Sequence, residues 1–481
     1  MTIFNQKFLS GIAWGFLDKI INQFALLAVS IYLANKLGPE VFGLLGILSI
    51  FLLISESIVT SGLGQALIQQ SNSVKSIQYS TVFISNIALA LVIYVVLYVM
   101  STYISAYYKL DELAPASRLL FIVIVINSIS VVDRSKLAID LDFKSIAKAS
   151  FIGNFAGCSF AIIMVNIGYD DDYIPLVSMA IVRALITTLF LRFYSKLRFK
   201  LIFDVDEFKP LFNFGYKILI AGLISAVSNN IYTLIVGKIF DTKSVGYYSQ
   251  SANLTNTLSG SITSIVQGVS FPVMTEVKNE TQKLKNLYIK LIRCTMLIVF
   301  PIMIGFASVA DNFVSLFLGN EWMPIISLLI VLSVSRIFTP VSAINMNVLN
   351  AIGRSDLYLR VDLIKLPLSL VIIVLGSIQG VYYLAVGNLI TTIIAFGINA
   401  YYPGRLLGIG LAFQLKAMFK PALASLFMVM IVLLVNVDSL FVELMLKIIF
   451  GVFAYIFGLI LLKEGELNEL YRFVFSKVVR R

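Results

Sequence analysis

Histidine is absent from all 481 residues. That excludes Ser-His-Asp hydrolysis, histidine general-base catalysis and histidine-ligated metals. The only cysteines, Cys158 and Cys294, lie far apart in or beside apolar stretches. They give neither a metal-ligand spacing nor a disulfide framework and read as small buried side chains. Neither a metal nor a cofactor is expected. No Walker A loop, dinucleotide fingerprint or nucleophile elbow occurs in a usable context, so nucleotide hydrolysis within this chain is not an expected energy source. Charge is scarce too. Only 13% of residues are charged and 59% are hydrophobic, against about 25% and about 45–50% in soluble domains.

What the chain does have is long apolar runs. Fourteen can be marked, from 12–34 and 41–68 through 174–191 and 324–349 to 421–437 and 442–462. Each is near the ~20 residues needed to cross hydrocarbon as a helix. Polar or turn clusters such as Gly38-Pro39, Asp170-Asp171-Asp172 and Gly319-Asn320 separate them. The first run has no A-x-A-like cleavage pattern after it and reads as a span rather than a signal peptide. The expected fold class is an all-α polytopic membrane protein of about 14 transmembrane helices. A twelve-span alternative, in which the last two segments do not cross, keeps the same orientation.

The net charge of +11 sorts strongly by side. With alternating spans, 26 of the 37 basic residues fall on the side of the N-terminus and 5 on the other, while 11 acidic residues fall on each. The faces therefore carry +15 and −6, with +2 left inside the spans. By the positive-inside rule the first face, with both termini, is cytoplasmic. Nucleic acid is not needed to explain the basicity.

Leu33-Ala34-Asn35-Lys36-Leu37, followed by Phe42-Gly43-Leu44-Leu45, resembles Ile235-Val236-Gly237-Lys238-Ile239, followed by Val245-Gly246-Tyr247-Tyr248. The offset is 202 at the lysines and 203 at the glycines. Six spans separate the matching points, so the halves share an orientation, as in parallel transporter repeats. The expected organisation is an N-terminal six-helix lobe (1–200), a second six-helix lobe (201–403), and an extra helix pair with a cytoplasmic tail (404–481).

Ionisable residues at membrane depth are costly and mark interiors or water-filled pathways. They are Asp18, Lys19, Glu56, Asp133, Arg183, Lys217, Arg336, Asp362, Lys365 and Lys447. Lys217, Lys365 and Lys447 lie close enough to span ends to snorkel. Adding the repeat offset to Lys19 gives a position one turn beyond Lys217, which pairs the two lysines functionally. Arg336 and Arg183 lie about 18 Å and 13 Å into their spans at 1.5 Å per residue. Each either pairs with a carboxylate such as Glu56 and locks helices, or contacts an anionic ligand, for which guanidinium is well suited. Arg336, Arg183, Lys19 and Lys217 are the candidate substrate-binding cations; Glu56 and Asp18 are the ion-coupling or pairing candidates. Asn229, Asn230, Gln250, Asn253, Asn256 and Gln267 make two further spans unusually polar, either bridging helices or bonding sugar hydroxyls.

Ser10-Gly11-Ile12-Ala13-Trp14, Lys36-Leu37-Gly38-Pro39-Glu40-Val41-Phe42-Gly43, Gly62-Leu63-Gly64-Gln65-Ala66-Leu67-Ile68-Gln69, Phe271-Pro272-Val273-Met274, Phe317-Leu318-Gly319-Asn320-Glu321-Trp322 and Asn350-Ala351-Ile352-Gly353-Arg354 resemble Wzx-type polysaccharide and O-antigen repeat-unit flippases. These belong to the multidrug/oligosaccharidyl-lipid/polysaccharide exporter superfamily, and the likeness is to the colanic-acid and teichuronic-acid exporter branch. The resemblance implies a MATE-like fold of two six-helix lobes in a bacterial inner membrane. It implies movement of undecaprenyl-pyrophosphate-linked oligosaccharide by alternating access, with H⁺ or Na⁺ as coupling ion and no enzymatic step. Membrane lipid, a glycan polymerase and chain-length proteins are the implied partners. The alternative is a drug or small-metabolite cation antiporter of the same superfamily. A glycan polymerase is disfavoured, because the longest outer connection, near 104–118, is too short for its catalytic loop.

Overall fold

The computed structural model describes the backbone of residues 3–69, 74–168, 171–197, 200 and 202–463, with side chains from residue 22 onward except 61, 217, 221, 224–234, 269, 272, 355 and 359. Among the described residues every regular element is a helix. In order these are α1 (Ile3–Ser61), α2 (Leu63–Gln69), α3 (Ser76–Tyr108), α4 (Leu113–Leu120), α5 (Ile122–Ile139), α6 (Phe143–Ile167), α7 (Ile174–Ser195), α8 (Val205–Ile239) and α9 (Thr242–Glu276). There follow α10 (Thr281–Ser308), α11 (Ala310–Phe313), α12 (Ile325–Arg336), α13 (Phe338–Ala351), α14 (Ser355–Ser377), α15 (Val381–Leu407), α16 (Leu411–Leu434) and α17 (Leu440–Leu461).

Every apolar run of the sequence falls on these helices. Runs 12–34 and 41–68 fall on α1 with α2, and 324–349 on α12 with α13. Among the described residues, 10 helical stretches are long and apolar enough to cross a membrane. Apolar side chains also point outward: Val92, Val95, Val99 and Tyr103 of α3 are exposed at the spacing of one helix face, as a lipid-facing surface requires. The chain is a multi-pass helical membrane protein.

α1 spans two of the expected segments because its break is a bend. Gly38 has φ of 72° and precedes Pro39, a backbone that residues bearing a Cβ avoid and that proline cannot continue as a regular helix. Just beyond it α1 crosses the start of α9. A Cβ on Gly43 would collide with the Thr242 carbonyl oxygen, and one on Gly246 with the Pro39 carbonyl oxygen. Glu40 and Lys243 form an ion pair at 3.2 Å across the same crossing. The offset of 203 that relates Gly43 to Gly246 also relates Pro39 to Thr242 and Glu40 to Lys243. The crossing therefore maps onto itself under the repeat.

The chain divides into two compact units, Met1–Gly246 and Tyr247–Arg481. In the first, α6 packs closely on α7. A Cβ on Gly157 would stand 2.7 Å from the Met179 carbonyl oxygen, and one on Gly153 would strike the Thr187 hydroxyl. This Gly-x-x-x-Gly spacing lets two backbones approach without a hydrophobic driving force between them. In the second unit a buried polar triad ties three helices together. The Tyr288 hydroxyl donates to Asn345 Oδ1 at 2.6 Å. Gln414 Nε2 donates to the Tyr288 oxygen at 3.0 Å, and Asn345 Nδ2 donates to Gln414 Oε1 at 3.1 Å. Each group satisfies the others, so burial of all three is tolerated.

Candidate functional site

In the first unit five helices line a cavity of about 430 Å³, α2 contributing Gln65. α5 presents Asn127, Ser130, Val131 and Arg134, spaced i, i+3, i+4 and i+7 and so on one face. α1 contributes Glu56 and Thr60, α6 contributes Ser150 and Asn154, and α7 contributes Arg183 and Thr187, each pair one turn apart. The close α6–α7 packing set by Gly153 and Gly157 brings Asn154 and Arg183 to the same wall. Among the described lining residues, Glu56, Arg134 and Arg183 are charged and none is aromatic.

Among the described residues Glu56 and Arg183 form no ion pair. Glu56 and Arg183 share the cavity, but Glu56 Oε1 accepts from Asn127 Nδ2 at 2.5 Å. The guanidinium groups of Arg183 and Arg134 act on Glu56 through their charge. Among the described residues Arg183 makes no hydrogen bond or ion pair with its own side chain. It is half-buried and lies about 14 Å from the start of α7 at 1.5 Å per residue. A guanidinium at that depth, facing a polar cavity, offers donors to an incoming anion.

Other charges at depth are used structurally. Asp133, fully buried, accepts from Ser195 Oγ at 2.5 Å and from Arg192 Nη1 at 3.3 Å, joining α5 to α7. Lys365 pairs with Asp362 at 2.6 Å and donates to Asn399 Oδ1 at 3.1 Å. Lys447 pairs with Glu443 at 2.6 Å and donates to Asn312 Oδ1 at 2.7 Å, so it staples α17 to α11 rather than snorkelling. Outside the spans, hydrogen bonds from Arg354 pull the Asp356 carboxyl down to about 2.

Arg336 belongs to the second unit, half-buried where α12 meets α13. Pro340 lacks the N–H that would bond the Arg336 carbonyl one turn back. Ser259 Oγ fills the place, donating to that carbonyl at 2.9 Å. Beside it Ser335 Oγ donates to Asn388 Oδ1 at 2.9 Å. The side chains of Asp18, Lys19, Lys217, Asn229 and Asn230 lie outside the described ones. The structure thus brings Glu56 and Arg183 together and places Arg336 in the other unit.

Along α9, Asn253, Asn256 and Gln267 are exposed, whereas Gln250 is buried. Exposed amides on a membrane helix face water, because amides left unbonded in hydrocarbon cost several kcal/mol.

Sequence reasoning missed Arg134 and Asn127. Arg134 directly follows the apolar run 119–133, where a cation reads as an ordinary flanking charge. Its i+7 relation to Asn127 was the available signal.

The profile of a family described as "Polysaccharide biosynthesis protein" matches residues 32–327, more than half of the chain. The chain belongs to that family. Two curated relatives are similar to it. The teichuronic acid biosynthesis protein TuaB of Bacillus subtilis (strain 168) is 27% identical over 304 residues, and the match spans 63% of this chain and 62% of that protein. The lipopolysaccharide biosynthesis protein WzxC of Escherichia coli (strain K12) is 24% identical, spanning 81% of this chain and 79% of WzxC. Among solved structures, the lipid II flippase MurJ in an inward closed conformation aligns with a TM-score of 0.75 at 13% identity, covering 92% of this chain and 97% of MurJ. An inward-facing MATE multidrug resistance transporter of the MOP superfamily aligns at 0.61 with 15% identity, covering 80% of this chain and 95% of that one. The likenesses to solved structures show the fold of this chain.

Proposed function

We propose that this protein is a flippase that carries undecaprenyl-pyrophosphate-linked oligosaccharide from the inner to the outer leaflet of a bacterial inner membrane. Both termini are cytoplasmic, and the polyprenyl tail stays in lipid while the charged head and sugars pass through polar space. Two six-helix lobes (1–200 and 201–403) alternate access, with 404–481 as an accessory helix pair and tail. No covalent chemistry is involved. The observation that carries this reading is Arg183, a guanidinium at membrane depth that faces a polar cavity with Arg134 while Glu56 is held by Asn127. Family membership supports the glycan, and the role of MurJ as a lipid II flippase supports the lipid carrier.

In this reading Arg183 contacts the pyrophosphate, Arg336 provides a second cationic station, and Lys19 with Lys217 complete the cationic set. Asn253, Asn256 and Gln267 bond sugar hydroxyls. Glu56 and Asp18 are the ion-coupling carboxylates, for H⁺ or Na⁺. A glycan polymerase and chain-length proteins receive the product. The absence of aromatic side chains among the described lining residues favours a sugar phosphate over an amphiphilic drug cation, which would be expected to stack on aromatic faces. The test is surface glycan in a deletion strain complemented with Arg183→Ala and, separately, Arg336→Ala at equal protein level. Wild-type glycan from either variant removes that residue from the role. A broad drug hypersensitivity of the deletion strain with normal surface glycan would favour the antiporter instead.

A further inference from the structure

The end of α3 that carries Tyr103 and Tyr107 marks where the helix leaves hydrocarbon. α3 is 33 residues long, about 50 Å at 1.5 Å per residue, and so outlasts a hydrocarbon core of about 30 Å. Its exposed side chains change along that length from Val92, Val95, Val96 and Val99 to Tyr103 and Tyr107, the passage from aliphatic to aromatic that accompanies a membrane boundary. At this boundary stands Arg118 of α4. Lys36, Lys109, Lys238 and Lys243 are the other basic residues on this side of the spans. Two of these lysines are engaged within the protein: Lys243 pairs with Glu40, and Lys238 donates to the Tyr107 carbonyl at 3.2 Å with its ammonium over the Tyr107 ring.

Arg118 is held differently. Its Nε donates to Ser101 Oγ at 2.8 Å and its Nη2 to Thr102 Oγ1 at 3.0 Å, while Cζ lies 4.9 Å from the centre of the Tyr98 ring. Ser101 donates its own proton to the Tyr98 carbonyl at 2.6 Å, which leaves its oxygen to accept. The Arg118 carbonyl accepts from the Tyr94 hydroxyl at 3.3 Å. Three α3 side chains therefore orient the guanidinium through its Nε and Nη2 edge, and every acceptor is neutral. The Nη1 and Nη2 edge keeps two parallel N–H donors, the geometry that takes two oxygens of one phosphate. Among the described residues no carboxylate pairs with Arg118; Asp111 and Glu112, just before α4, line a pocket with Glu40, Asp172 and Asp241 instead. The site opens on lipid: Val95, Tyr98, Val99 and Thr102 are all exposed, and their i, i+3, i+4, i+7 spacing puts them on one face.

We propose that Arg118 binds the phosphate of a membrane phospholipid whose acyl chains lie along Val95 and Val99. Charge complementarity and the order of the surface decide for this occupant. A positive fork without an acid partner sits at the boundary, and an aliphatic strip runs from it toward the membrane centre, so one molecule with a phosphate and acyl chains matches both. In the orientation proposed above the lipid belongs to the outer leaflet. The inference does not depend on what the chain transports.

The experiment is titration of the detergent-purified full chain with dioleoylphosphatidylglycerol, read by native mass spectrometry as the affinity of the first lipid bound. Arg118→Ala is expected to weaken that affinity about 10- to 100-fold, as loss of a charged hydrogen bond does, while Lys36→Gln, which removes another cation of the same side, leaves it unchanged. Dioleoylglycerol, which has the same chains and no phosphate, should bind weakly and equally to wild type and Arg118→Ala. Equal phosphatidylglycerol affinity in wild type and Arg118→Ala overturns the inference, as does dioleoylglycerol bound by wild type as tightly as phosphatidylglycerol. Arg118-dependent binding of farnesyl-pyrophosphoryl-N-acetylglucosamine without any of phosphatidylglycerol would make the site a substrate station and overturn it too. Should Arg118→Ala not fold, Arg118→Lys decides, because it keeps the charge and loses the two-donor edge: weakened binding supports the site, and wild-type affinity overturns it.

Discussion

Glu56 and Asn127 are joined across α1 and α5 by a 2.5 Å hydrogen bond from Asn127 Nδ2, which holds the carboxylate in the cavity it shares with Arg183. Removing the amide should release Glu56 toward Arg183 and close an internal ion pair. Asn127→Leu is therefore expected to weaken binding of a pyrophosphate diester by about tenfold, the equivalent of ~1.4 kcal/mol. Fluorescence or calorimetric titration checks it, and an unchanged affinity would show that the amide does not position the carboxylate.

Arg183→Ala should lower export about 10- to 100-fold, in line with ~1.5–3 kcal/mol for a charged hydrogen bond. Arg183→Lys should restore part of it, because a point charge replaces the fork but not its two-donor geometry. Quantified surface glycan at matched protein level is the readout.

How much of this could be read from the sequence depends on the kind of residue. Arg183 and Glu56 stand out because an ionised side chain many residues inside an apolar run has no route to water. Arg134 does not, because a cation at the end of a run is the ordinary mark of the cytoplasmic face, and only the helical register with Asn127 distinguishes it. The same ambiguity affects Lys447: it lies near a span end, yet Glu443 and Asn312 hold it inside the protein. The bend at Gly38-Pro39 was legible as a break, but not that α1 continues through it. The Glu40–Lys243 ion pair lies between positions that the repeat offset of 203 relates, and no comparison of residue types reveals it.

Gly153 and Gly157 should be among the least replaceable positions of the first unit. Gly153→Leu is expected to destabilise by about 1–3 kcal/mol through overpacking against α7. Thermal unfolding of detergent-solubilised protein measures this; a melting temperature equal to wild type would mean that α6 and α7 can separate freely.

The buried triad of the second unit predicts a stability defect without a transport defect. Tyr288→Phe removes the hydroxyl that Asn345 and Gln414 share, at a cost of about 1–3 kcal/mol for the polar groups left unbonded. Export per folded molecule should stay near wild type.

On α9, leucine substitution separates water from lipid. If the exposed Asn253 and Asn256 serve the glycan, Asn253→Leu with Asn256→Leu lowers surface glycan while protein level is kept. Were that face in contact with lipid, the double variant would be more stable than wild type and fully active.

The central claim is that this chain moves a lipid-linked glycan past Arg183. The direct measurement is transbilayer movement of a fluorescent polyprenyl-pyrophosphoryl oligosaccharide in proteoliposomes containing the purified chain. Wild type is predicted to make the inner-leaflet probe accessible to an external quencher, and Arg183→Ala, reconstituted at the same density, to leave it protected. Equal accessibility with the two proteins, or none with wild type, would contradict the account.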